Sequence, residues 1–145
     1  MNGIKWQHAL VLIVLCFTSF TAMCKNPVLK NTKWSAEQKM FIADVGTMTT
    51  TITLEFVSGR DVVIREHSVT PSHPAMYVNP DGSVDTLPGW TSEREEKGTY
   101  SFKRGKLTVT DEGGFQKVYI YQADGTFTIE DPIVRETLIF RRCEE

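Results

Sequence analysis

Any chemistry in this chain would have to come from a short list of side chains. The histidines are His8, His67 and His73. His67 and His73 stand six residues apart around Pro71, unlike the tighter and more numerous ligand runs of tetrahedral zinc sites. They read as exposed side chains, and no metal is expected. Glu93, Glu95 and Glu96 flank Arg94. A carboxylate pair can supply acid and base to a glycoside, but this charged run reads as a solvated strand end. Asn79-Pro80-Asp81-Gly82 has the outline of a calcium loop, lacks the later Glu and the ligand register, and reads as a turn. The chain contains no G-x-S-x-G, P-loop or G-x-G-x-x-G. The expectation is therefore a non-enzyme without a cofactor.

Aromatic side chains are the other candidates. Trp34, Phe56, Tyr100, Phe102, Tyr119, Phe127 and Phe140 fall on one phase of alternating segments. Rings on a common inward face either fill a core or line a ligand pocket. In the second reading the ligand-binding set is Tyr77, Trp90, Tyr100, Phe102, Tyr119 and Phe127, and the ligand is small and apolar.

The segments that carry these rings read as β-strands. Met48, Thr50, Ile52, Leu54 and Phe56 alternate with Thr49, Thr51, Thr53 and Glu55, the period-two pattern of a half-buried strand. Ser58-Gly59-Arg60 turns into a second strand over 61–69. A further group starts near Glu96 and covers 98–102, 106–110, 115–122, 127–130 and 135–142. Its turns are Gly-containing, among them Arg104-Gly105 and Asp124-Gly125. The segment 34–42 brings the count to about eight strands, although Ser35–Met40 is also compatible with a helical turn. Consecutive hairpins favour an all-β, up-and-down barrel of antiparallel strands, with a β-sandwich as the alternative. The segment 71–92 carries four prolines and two glycines and reads as a long loop.

Residues 1–24 stand apart. Lys5 precedes the apolar run Ala9–Phe20, which is about 12 residues long, and small residues follow. This is the layout of a secretory signal, and the run is shorter than a membrane span. The expected organisation is a signal over 1–24 and one domain over 25–145. Thr21-Ala22-Met23-Cys24 has the layout of a bacterial lipobox, with Met23 where Gly, Ala or Ser is usual. Cys24 is thus a candidate lipidation site. Pairing with Cys143 in a disulfide is the alternative, and a free Cys143 thiol the third. The net charge is −2 with no basic run, which argues against nucleic acid. Membrane association is expected only through a lipid on Cys24. Localisation is expected at a bacterial cell envelope, as a periplasmic or outer-membrane lipoprotein, or as a secreted protein.

Leu29-Lys-Asn-Thr-Lys-Trp34, together with Leu138-Ile-Phe-Arg-Arg142, resembles the lipocalin-like (calycin-like) barrels of small secreted bacterial proteins. The resemblance implies that Trp34 packs over the closed end of the barrel with an Arg of the last strand against it. The matching positions are Arg141 or Arg142, with Arg141 taken as the partner. It also implies a binding module for a small apolar ligand. An eight-stranded barrel is just wide enough to be filled by side chains or to hold one small ligand. The bulky inward residues predict a nearly filled interior with a shallow pocket at the end away from Trp34. Tyr77 and Trp90 are expected to fold from loop 71–92 against that rim. Protein interaction or inhibition through the loop is the alternative function.

Overall fold

The computed structural model describes residues 26–132 and 135–144. The strands are β1 (Thr32–Ile42), β2 (Gly46–Phe56), β3 (Asp61–Thr70), β4 (His73–Pro74), β5 (Thr86–Leu87), β6 (Trp90–Lys103), β7 (Lys106–Asp111), β8 (Gln116–Tyr121), β9 (Phe127–Glu130) and β10 (Thr137–Arg142). Eight of them close a barrel in the order β1-β10-β9-β8-β7-β6-β3-β2, and β4 and β5 form a separate ribbon. Every neighbouring pair in the barrel is antiparallel. The protein is an up-and-down, all-β closed barrel rather than a sandwich, and 34–42 lies within strand β1 rather than a helical turn.

Alternation builds the core. Trp34 and Ala36 on β1, Leu54 and Phe56 on β2, and Val62 and Ile64 on β3 are all buried, while Lys33, Glu55 and Arg65 face outward. Register keeps the inward phase continuous from strand to strand: Trp34 pairs with Leu54, and Leu54 with Ile64. Leu107, Val109, Tyr119, Phe127, Leu138 and Phe140 fill the same interior from the other half. Each such side chain contributes about 1.5–3 kcal/mol by leaving water. The Lys103–Lys106 hairpin turns through Arg104 (φ 51°) and Gly105 (φ 76°), both left-handed, as a two-residue turn that matches strand twist requires. Gly98 is needed for a different reason. A Cβ there would lie 2.5 Å from the Thr110 carbonyl oxygen, so only glycine lets β6 approach β7 so closely.

The strands are unequal in length, and this shapes the site. β1, β2, β3 and β6 run 10 to 14 residues, whereas β7 to β10 run 4 to 6. The long strands share a closed end with the short ones and project beyond them at the other. β6 begins at Trp90, well before the start expected near Glu96, because its first half pairs with β3 along the full ladder from Thr70↔Trp90 to Asp61↔Thr99. The connection from β3 is therefore 71–89 rather than 71–92. It is also not structureless, since His73 pairs with Leu87 and Pro74 with Thr86.

Candidate functional site

The closed end is sealed by rings. Trp34 is 3% exposed and meets Phe127 edge-on at 4.8 Å. Its Nε1 donates to Thr32 Oγ1 at 2.9 Å, and that hydroxyl donates to the Leu29 carbonyl at 2.5 Å. Phe102 and Tyr121 pack on Phe127 at 6.0 and 5.0 Å. Tyr100 stacks edge-on against Phe56 at 4.7 Å, and its hydroxyl donates to the Ser58 carbonyl at 2.9 Å. Tyr100, Phe102 and Phe127 are thus packing residues of the closed end. Arg142, not Arg141, is the register partner of Trp34, while Arg141 pairs with Ser35 on the opposite face. Cys143 closes this end, its backbone N–H donating to the Lys33 carbonyl at 2.9 Å and its thiol to Ser35 Oγ at 3.4 Å. Cys24 and the rest of 1–24, the stretch expected from sequence to be a signal, lie outside the described residues.

The opposite end carries the loops. Trp90 is the first residue of β6 and half exposed, its ring 5.8 Å from that of His73. Tyr77 is exposed, and its hydroxyl donates to Asp85 Oδ2 within the loop at 3.3 Å. Neither reaches the rings of the barrel interior. Trp90 stands on the rim itself, paired with Thr70 as the first residue of β6, whereas Tyr77 makes its contact within the 71–89 connection, where the β4–β5 ribbon gives the loop a framework of its own.

A cleft lies in the barrel wall. β8 and β9 pair only at Ile120↔Thr128 and Tyr121↔Phe127, although β8 continues back to Gln116 and β9 on to Glu130. Where they part, a cleft of about 370 Å³ opens toward the interior. This lies within the volume range of small-molecule sites. Ile52, Tyr119, Ile129, Leu138 and Phe140 form its apolar interior, with Lys117 and Asp131 at its lip. Asp131 accepts a 3.2 Å hydrogen bond from Gln38 Nε2, which ties the β9–β10 connection to β1. Of the six aromatic residues expected to bind a ligand, Tyr119 alone lines this cleft. It stands on β8 opposite Leu107, is 3% exposed and packs edge-on to Phe140 at 5.3 Å. Burial first, and then the Glu66 carboxylate, hold its hydroxyl well above the ordinary tyrosine range, so it remains a neutral donor at physiological pH.

Charged residues on the outer wall pair among themselves. Glu55 bridges Lys33 at 3.3 Å and Arg65, and Arg65 also bonds Glu95 at 2.8 Å. The Arg65 hydrogen bond holds the Glu55 carboxyl below its usual range. His67 meets Glu93 at 3.3 Å, and Nδ1 of His73 lies 3.2 Å from the Pro71 carbonyl. Among the described residues no group of three His, Cys, Asp or Glu side chains is arranged to hold a metal. The alternation in the sequence carries the phase of Ile52, Ile129 and Leu138, but nothing in it marks the parting of β8 from β9 that makes them line a cleft. No family model, curated protein or solved structure matches the chain.

Proposed function

We propose that this domain is a lipocalin-like, non-enzymatic binding module that takes a small apolar molecule in the cleft between β8 and β9. The observation that carries the reading is an apolar cleft of about 370 Å³ reaching the buried core through a gap in the ladder. Elsewhere the rings of the interior pack against one another. Binding would bury Ile52, Ile129 and Leu138 methyl groups together with the ligand, at about 25 cal/mol per Å² of apolar surface removed from water. The signal-like segment supports an exported protein, and Cys24 supports a lipid-anchored form of it. The test uses N-phenyl-1-naphthylamine, a neutral dye that brightens in apolar surroundings. Wild-type protein is expected to bind it, and Ile129→Trp, which fills the cleft from a half-buried position, to weaken binding at least about tenfold while the fold is retained. Dye bound equally by both proteins, or by neither, contradicts the proposal.

A second reading rests on the opposite end. Met76 (87% exposed) and Val78 (66%) stand in water on either side of the exposed Tyr77 in the 71–89 connection, and exposed apolar groups gathered in this way mark interaction surfaces. A protein partner held through the 71–89 connection would account for them. Met76→Lys with Val78→Lys would then abolish partner capture and leave dye binding intact.

A further inference from the structure

The lumenal side of the cleft changes character one strand beyond Ile52. The register partner of Ile52 on β3 is Glu66, and that of Glu66 on β6 is Arg94, so the three share one row on the inner face. The Arg94 guanidinium is taken by Glu96, and Asp111 accepts from the Phe115 N–H at 2.9 Å. Glu66 is half-buried, and its carboxylate has no hydrogen bond or close ion pair among the described residues. Tyr119 comes into the same lumen from β8. Its hydroxyl also lacks a hydrogen-bond partner among the described residues, although the residue is 3% exposed, and the field of Glu66 reaches it. Here a carboxylate and a phenol hydroxyl, neither of them hydrogen-bonded among the described residues, face one lumen next to the apolar cleft, with Glu66 one strand beyond Ile52.

The charges nearby decide what would partner them. Glu66, Glu96 and Asp111 outnumber Arg94 on this stretch of inner face, and Arg94 is already engaged. Lys117 sits at the exposed lip, where water screens it. A ligand anion would meet carboxylates, whereas an ammonium has N–H donors for both the carboxylate and the phenol oxygen.

We propose that the cleft takes a small amphipathic amine, with its apolar body on Ile52, Ile129 and Leu138 and its protonated amine between Glu66 and the Tyr119 hydroxyl. This rests on the reading of the cleft as a small-molecule site and adds the charge of the head group. The test compares octylamine, octanol and octanoate at neutral pH by displacement of N-phenyl-1-naphthylamine from the full domain. Octylamine should bind about tenfold or more tighter than octanol, with octanoate the weakest. Glu66→Gln, nearly isosteric, should bring octylamine to the level of octanol and leave octanol unchanged. Glu95→Gln on the outer wall should alter nothing. Octylamine binding no tighter than octanol, octanoate binding tightest, or a preference that survives Glu66→Gln would each overturn the head-group assignment while leaving the cleft as an apolar site. If none of the three displaces the dye, the cleft reading fails and this inference with it.

Discussion

Tyr119 shows how one residue serves both packing and site. Its ring belongs to the core, edge-on to Phe140, while its hydroxyl lies at the boundary between that core and the polar part of the lumen. Because burial raises the pKa of this hydroxyl in the folded state, the unfolded chain releases the proton first as the pH climbs. The stabilising contribution is therefore whole below the unfolded tyrosine value of about 10 and drains away as pH rises from there toward the folded-state value. Urea midpoints measured near pH 9 and near pH 11 should fall for wild type, and Tyr119→Phe should reduce that fall. A fall of the same size in both proteins would mean that Tyr119 ionises as freely in the fold as in the unfolded chain. Tyr100 is also shifted upward, chiefly by burial, so part of the alkaline loss should persist in the variant. The outer wall works in the opposite sense. Glu55, held low by Arg65, contributes stability above the ordinary glutamate range that is lost as the pH falls. The contribution is modest, because exposed ion pairs are worth little.

At the scale of the strand, inward positions change from apolar to polar part-way along each long element. On β1 the inward series runs Trp34, Ala36, Gln38; on β2 it runs Phe56, Leu54, Ile52, Thr50; on β3, Val62, Ile64, Glu66, Ser68; and on β6, Phe102, Tyr100, then Glu96 and Arg94. The switch marks where the filled interior ends, because a charged side chain tolerates an inward position only where water or a partner can reach it. Phase predicts two unlike outcomes on neighbouring residues of β2. Leu54→Asp places a charge at a fully buried position and should cost more than about 4 kcal/mol, unfolding a domain of ordinary stability. Thr53→Asp, whose register partner is Arg65, should change stability by no more than about 0.5 kcal/mol. Thermal melts of the two variants check this, and equal effects would contradict the strand phase. Alternation and Gly-bearing turns made the eight strands and their faces legible from sequence. Where pairing stops was not legible: nothing in Gln116–Tyr119 or Ile129–Glu130 states that these stretches lie apart, since ladder length is set by barrel stagger. The early start of β6 was hidden for a similar reason. Thr91–Lys97 is too polar to alternate visibly, and it is a strand because β3 pairs with it.

For the whole molecule, the two ends of the barrel have different work. The chain enters at the closed end, where Leu29 is buried and the Asn31 N–H donates to the Phe56 carbonyl at 2.6 Å, and it leaves beside the same strand at Cys143. In the proposed lipid-anchored form, an attachment at Cys24 would hold this sealed end nearest the membrane. The loops at the far end, with their exposed Met76 and Val78, would then point away from it. The cleft opens in the wall where β8 and β9 part, beside the β9–β10 connection. The measurement that bears most directly on the account is an NMR map of where a bound neutral apolar probe sits, made with methyl-labelled full domain and N-phenyl-1-naphthylamine. The account predicts probe contacts with methyl groups of Ile52, Ile129 and Leu138, and undisturbed signals from Trp34 and from Met76 and Trp90. Contacts confined to Met76, Val78 and Trp90, or to the rings around Trp34, would place the site at one end of the barrel and contradict the cleft.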